Sequence, residues 1–170
     1  MARFSSTPES SISIWKDSIK MKMKPKNPDY AVETNRILSK APFISDLGIQ
    51  PVHFEPGKCE TRLNLEPRHL QQDGFVHAAV QAAMADHTAG AAASTLIGQD
   101  EIILTAEYKI NFLRAAKGKM MTCTATVLKP GRRLIVSESE IYCDNAGQSD
   151  LVSKAMVTLA VVSRHPVSVA

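Results

Sequence analysis

Most of the chain after residue 43 alternates hydrophobic with polar side chains, the pattern of half-buried β-strands. Six segments show it: 47–54, 58–65, 102–112, 121–127, 134–143 and 151–162. Turn signals at 55–57, 129–131 and 144–147 separate neighbouring segments. We therefore predict antiparallel strands, the last four in a meander. In the first of those four, we expect one face to carry Ile102, Leu104, Ala106, Tyr108, Ile110 and Phe112.

An apolar segment from Gly74 to about Ile97 interrupts this alternation and predicts a helix more than about 30 Å long. It contains nine alanines, no proline and almost no charge, so most of its circumference should be buried. Gly98 follows as the helix stop. A sheet that is hydrophobic on one face must be covered, and this helix is the only large apolar element available. The sequence thus predicts an α+β fold with an antiparallel sheet wrapped around one central helix.

The first 28 residues differ from the rest and are interpreted as an N-terminal appendage. Ile12, Trp15 and Ile19 have the spacing of one short amphipathic helix, and a lysine-rich stretch follows. The appendage is either a partly disordered tail or a helix that docks on a partner subunit. Residues 29–170 form a single domain, whose first helix should run from about Pro28 to Lys40.

Composition limits the classes of function. The chain has 170 residues, 44% of them hydrophobic, and a mean hydropathy of −0.10, which is typical of a soluble globular protein without membrane-spanning segments. A net charge of +3 and 5% aromatic residues argue against a nucleic-acid partner. Three cysteines without a CxxC spacing, and no secretory signal, favour the cytoplasm. The histidines have no metal-ligand spacing, so we expect neither a metal nor a cofactor.

Asp86 is the residue that the helix pattern does not explain. It lies on a stripe of small or apolar residues, where an isolated carboxylate is costly to bury. Asp86 must therefore be exposed, be paired with a neighbouring group, or line a functional site. The local pattern leaves a purely structural hydrogen bond as an open alternative.

The start of this helix is a second candidate for chemistry. Free backbone N–H groups at a helix N-terminus, here around Ala78, can polarise a carbonyl oxygen as an oxyanion hole does. His77 could act as an acid or base there, or could orient the backbone. Lys129, Arg132 and Arg133 flank a later turn, which is either simply solvated or a clamp for ligand phosphates.

The segment His77-Ala78-Ala79, followed by Asp86 and Gly90, resembles the signature of the PaaI-like hotdog-fold acyl-CoA thioesterases, in the 4-hydroxybenzoyl-CoA thioesterase superfamily. That signature has His-Gly-Gly, a carboxylate nine residues after the His, and then a small residue. Segments 108–118 and 127–132 are similar to the family's later strand and turns, so the resemblance covers about residues 43–163. It implies a hotdog fold and hydrolysis of an acyl-CoA or aryl-CoA thioester to free acid and CoA. It also implies a homodimer or homotetramer with sites at the subunit interface.

The resemblance assigns roles to individual residues. Asp86 matches the general base or nucleophile, and Ala78 the backbone N–H that holds the thioester oxygen. Gln71 matches a position near the thioester, and Thr105 one that helps to place the water. The remaining substrate-binding candidates are Ala79, Gly90, Arg114, Lys129, Arg132 and Arg133.

One departure from the signature keeps other functions open. Ala78 and Ala79 replace the two glycines, and each methyl group narrows the approach of a ligand to the backbone. The main alternative is a hotdog protein that binds or senses acyl-CoA without hydrolysing it. Two further alternatives are a hydratase or dehydratase using Asp73 and His77, and a structural oligomer with a degenerate site.

Overall fold

A computed structural model describes residues 23–145 and 147–164. Its helices are α1 (Tyr30–Lys40), α2 (Pro42–Leu47) and α3 (Ala78–Ser94), with a 3₁₀ helix at Pro67–His69. Its strands are β1 (Gln50–Glu55), β2 (Lys58–Asn64), β3 (Glu101–Phe112), β4 (Met120–Pro130), β5 (Leu134–Asn145) and β6 (Gln148–Ser163).

The six strands form one antiparallel sheet in the order β1-β2-β4-β5-β6-β3. Helix α3 packs against the strands from β2 to β6, so the sheet wraps around it. Its buried face, including Met84, Ala85 and Ala89, meets the buried side chains of these strands in one core. The predicted α+β fold, a hotdog sheet around a central helix, is confirmed.

Helix α3 is shorter at both ends than the sequence predicted. Gly74 has a φ of +79, in the left-handed region, and His77 is extended, so the helix begins only at Ala78. At the other end, the Thr95 hydroxyl donates to the Ala92 carbonyl and accepts the Gly57 N–H. The 17 residues span about 26 Å at roughly 1.5 Å per residue. Gly98 lies beyond the helix and does not end it.

A β-bulge changes the predicted face of β3. The register against β6 shifts between Thr105 and Glu107, which leaves Ala106 as an extra residue. Ile103 and Ile110 therefore both pack against the core, although their offset along the chain is odd and would place them on opposite faces of a regular strand. The prediction that alternate residues from Ile102 to Phe112 share one face was wrong. The hydrophobic alternation alone does not reveal where a strand contains an extra residue.

The described part of the predicted appendage contacts the domain. Met23 packs against the core, Asn27 is buried, and Lys26 pairs with Glu101 at 3.4 Å. The short helix predicted around Trp15 lies outside the described residues. Within the described part of the chain, no helix is long and apolar enough to cross a membrane.

Candidate active site

Asp86 lies halfway along α3, half-buried, and faces the edge strand β3. The Thr105 hydroxyl donates a hydrogen bond of 2.7 Å to Asp86 Oδ1. Asp86 is thus not isolated, since Thr105 holds one of its oxygens, and it forms no ion pair with another described residue. The hydroxyl proton of Thr105 is therefore engaged in orienting Asp86, while the hydroxyl oxygen can still accept a hydrogen bond from water.

Asp86 and Thr105 line a cleft of about 320 Å³ between α1, α3 and β3. Its walls are largely apolar and include Ile37, Ile97 and Ile102. Gly90 also lines it, and a methyl group added there would meet no atom within 4 Å. We call this space the Asp86 cleft; it has the shape of a pocket for an apolar group next to a carboxylate.

Charged side chains from α1 line the same cleft. Arg36 donates two hydrogen bonds to Glu33, at 2.7 and 2.9 Å, and Arg164 from the end of β6 also donates to Glu33. The Arg36 hydrogen bonds lower the pKa of Glu33 from 4.5 to about 2; burial opposes this, and Arg164 adds to it. The bond from Arg164 links α1 to the C-terminal end of β6.

The start of α3 forms a second cleft, of about 440 Å³, lined by Gln71, Phe75, Ala78 and Arg114 among others. We call it the Ala78 cleft. The Ala78 N–H has no hydrogen-bond acceptor among the described residues, as expected in the first turn of a helix. It is therefore available to a ligand oxygen.

His77 and Ala79 are engaged with each other. His77 caps the helix, because its Nδ1 accepts the Ala79 N–H at 3.0 Å. The Ala79 N–H is thus already occupied, which leaves Ala78 as the free donor of the pair. His77 orients the helix start, as one of the two sequence interpretations held.

The structure does not bring all predicted site residues together within one chain. The Asp86 cleft holds Asp86, Thr105 and Gly90, the Ala78 cleft holds Gln71, Ala78 and Arg114, and they share no lining residue. Along α3, Ala78 and Asp86 are about 12 Å apart.

The basic turn belongs to neither cleft. Lys129, at the end of β4, and Arg132 and Arg133, in the turn before β5, are exposed. Pro130 and Gly131 of this turn line a pocket with Leu96, just beyond the C-terminal end of α3. Within one chain, these cations are therefore remote from the Ala78 N–H.

Sequence reasoning missed His87 and the contribution of α1. His87 lines the Asp86 cleft next to Asp86, while Glu33, Arg36 and Ile37 come from α1. His87 gave a signal, since it is an ionisable side chain directly after Asp86 in a helix with almost no charge. The α1 residues gave none, because only the packing of α1 against α3 brings them to the cleft.

Comparison with known proteins adds independent evidence. A family model described as the thioesterase superfamily matches residues 73–149, which include Ala78, Asp86 and Thr105. A protein of Saccharolobus solfataricus whose name describes it as an esterase is 31% identical over 129 residues, which cover 76% of this chain and 83% of the relative. The 1,4-dihydroxy-2-naphthoyl-CoA hydrolase of Listeria monocytogenes is 30% identical over 95 residues, covering 56% of this chain and 77% of that enzyme.

A solved structure agrees with the fold. A thioesterase family protein from Silicibacter pomeroyi superposes with a TM-score of 0.77 at 30% sequence identity. The match covers 79% of this chain and 98% of that one.

Proposed function

The chain belongs to the thioesterase superfamily and is a thioester hydrolase, and we propose that it hydrolyses acyl-CoA or aryl-CoA esters with Asp86 as the catalytic carboxylate. The observation that carries this proposal is the Asp86 carboxylate, oriented by Thr105 beside an apolar cleft. The name of the Listeria relative, a naphthoyl-CoA hydrolase, supports the CoA ester as substrate.

The geometry suits the hydrolysis of a thioester. With Oδ1 held by Thr105, the other oxygen of Asp86 is placed to accept a proton from water, or to attack the carbonyl carbon directly. In the water route, the water oxygen bonds to the carbonyl carbon and its proton passes to Asp86. The Ala78 N–H would stabilise the resulting oxyanion, and collapse would expel the CoA thiolate.

The two clefts support a site built from two subunits. Asp86 and Ala78 open into different clefts of one chain, so a second chain has to bring its Ala78 to this Asp86. β3 is an edge strand and carries the exposed side chains of Leu104, Tyr108 and Phe112. Such an edge favours pairing with a second copy about a twofold axis. We therefore propose a homodimer through β3, which can pair further into a homotetramer.

Mixing two inactive variants tests the shared site. Ala78→Pro removes the N–H, and the first helical position tolerates proline, with His77 already extended before it. Asp86→Asn removes the base. After subunit exchange, mixed dimers would contain one intact site, and random pairing would restore about a quarter of the wild-type sites. Recovery of no activity from proven mixed dimers would contradict a site shared between subunits.

The basic residues are proposed to bind the CoA portion of the substrate. Arg114 lines the Ala78 cleft, and its guanidinium donates to the Leu151 carbonyl, which orients it. Lys129, Arg132 and Arg133 are free of ion pairs among the described residues, so they can bind phosphates contributed across the interface. We also propose a cytoplasmic location, which the buried free thiols of the three cysteines support.

Thiol release from a panel of acyl-CoA and aryl-CoA esters tests the activity. Asp86→Asn should lower the rate at least about 100-fold, the scale of lost acid–base catalysis, without unfolding the protein. Asp46→Asn is the matched control, because Asp46 is an exposed carboxylate of α2 outside both clefts. Equal turnover by Asp86→Asn and wild type would exclude Asp86 as the base or nucleophile.

A further inference from the structure

His87 carries a polar atom for which the fold provides no partner. Its Nε2 is sealed from solvent and makes no hydrogen bond among the described residues. Burial lowers the pKa of His87, and the nearby carboxylate of Asp86 only partly opposes this, so the ring is neutral near pH 7. A buried polar group without a partner is rare in folded proteins and calls for an explanation.

The sealed Nε2 determines where the ring holds its proton. A neutral imidazole has one N–H donor and one acceptor nitrogen. A proton on Nε2 would bury an unpaired N–H, which proteins tolerate less well than an unpaired acceptor. The favoured tautomer therefore has its N–H at Nδ1, which is not one of the sealed, unpaired atoms, and this N–H needs an acceptor. His87 lines the Asp86 cleft, so an occupant of the cleft can supply this acceptor.

The Asp86 cleft limits what that occupant can be. Its volume of about 320 Å³ corresponds to about ten non-hydrogen atoms, at roughly 30 Å³ for each water-sized group. Isoleucine side chains form much of the wall, which suits a hydrocarbon or aromatic group. The carboxylates of Glu33, Asp86 and Glu101 line the same cleft and outnumber its one cation, Arg36, so the excess of negative charge disfavours an anionic substituent.

Resting on the hydrolase function proposed above, we propose that the Asp86 cleft receives the acyl part of the thioester and that His87 is a specificity-determining residue. It donates a hydrogen bond from Nδ1 to an uncharged oxygen substituent, a hydroxyl or keto group, on an acyl group of up to about ten non-hydrogen atoms. The thioester carbonyl then lies beside Asp86 and Thr105, and the CoA portion leaves through the open side of the cleft.

The test compares pairs of CoA esters that share one skeleton and differ by a single hydroxyl group. We expect wild type to prefer the hydroxylated ester at least about tenfold in kcat/KM. His87→Leu, of similar volume but without a donor, should reduce that ratio to near one. His87→Asn should retain the preference, because the amide nitrogen of Asn occupies the place of Nδ1 without a second, sealed nitrogen.

Stability separates this role from a structural one. His87→Leu replaces a buried unpaired polar group by an apolar side chain, so its melting temperature should equal or exceed that of wild type. A large fall in melting temperature, with both esters losing activity in parallel, would show that His87 serves the fold instead. Equal preference in wild type and His87→Leu would also overturn the proposal.

The result does not depend on turnover. If wild type hydrolyses plain and hydroxylated esters equally well, the inference fails while the proposed function stands. If wild type hydrolyses no ester, the proposed function fails. In that case, calorimetry still measures how tightly wild type and His87→Leu bind the same ester pairs. It then decides whether His87 hydrogen-bonds the oxygen substituent.

Gly90 provides a second test of the acyl cleft. A side chain added at Gly90 projects into open space and is compatible with the middle of a helix. The series Gly90→Ala and Gly90→Leu should progressively lower kcat/KM for esters near ten acyl atoms relative to acetyl-CoA, by at least about tenfold for leucine. An unchanged ratio in Gly90→Leu would place the acyl group outside this cleft.

Discussion

Thr105→Val removes the hydroxyl group that orients Asp86 and changes little else. The two side chains are joined by a single hydrogen bond of 2.7 Å. Thr105 is exposed on the edge strand β3, so valine, which has the same shape and a high strand propensity, leaves no buried group without a partner. The substitution thus isolates the effect of positioning the carboxylate.

The expected loss follows from the nature of this bond. A hydrogen bond to a charged group contributes about 1.5–3 kcal/mol. If it acts by holding Asp86 in the reactive orientation, its loss raises the barrier by up to that amount, and each 1.4 kcal/mol is about tenfold in rate. We expect kcat to fall about 10- to 100-fold, towards the lower value because Asp86 is only half-buried. KM should change little, since Thr105 acts on the base.

Steady-state thiol release from a hydrolysed CoA ester gives kcat and KM separately. Thr105→Ser is the matched control, because it keeps the hydroxyl and should keep most of the activity. Urea unfolding at fixed protein concentration should give the same midpoint for all three proteins. A kcat for Thr105→Val equal to that of wild type, or an equal loss in Thr105→Ser, would refute a role for this hydroxyl in orienting Asp86.

Two further predictions concern stability. Thr88→Val leaves the hydroxyl of Thr61, whose oxygen lies 2.7 Å from that of Thr88, buried without a partner, so urea unfolding should show a loss of about 1–3 kcal/mol. The double variant with Thr61→Val should recover most of this loss; strictly additive losses would contradict the coupling. Glu33 has a folded pKa of about 2, below its ordinary 4.5, so its paired carboxylate stabilises the fold fully above pH 4.5 and loses this effect as the pH falls towards 2. Glu33→Gln should therefore unfold more easily than wild type at pH 6, and the difference should vanish near pH 2; a constant difference across this range would exclude the pairing as its cause.

The sequence predicted the layers of the fold better than their local details. The hydrophobic alternation was enough to predict the sheet, and the long apolar segment was enough to predict the helix at its centre, because burial against a core imposes these patterns. The start of α3 was missed by four residues, since Gly74 and His77 form a loop before it that no periodicity marks. The bulge at Ala106 was also missed, because a bulge depends on how β3 pairs with β6.

The candidate site was predictable only in part, for a similar physical reason. Asp86 stood out because a carboxylate among small apolar residues needs a partner, and Thr105 is that partner. The α1 wall of the cleft depends on tertiary packing, which local patterns do not contain. The separation of Asp86 and Ala78 into different clefts likewise became visible only in three dimensions.

The two alanines that replace the family glycines were the main support for a protein that binds acyl-CoA without hydrolysing it. The geometry weakens that support. Ala78 is the first residue of a helix, a conformation that alanine adopts without strain, so a glycine is not needed there for backbone freedom. Its N–H remains available, and the N–H of Ala79 is satisfied by His77 rather than required by a ligand. The methyl group of Ala78 narrows the approach to that donor but does not remove it. A protein that only binds acyl-CoA would have to lack a feature needed for hydrolysis. The N–H donor, the oriented carboxylate and the apolar cleft are all present, so hydrolysis is the function that these features support.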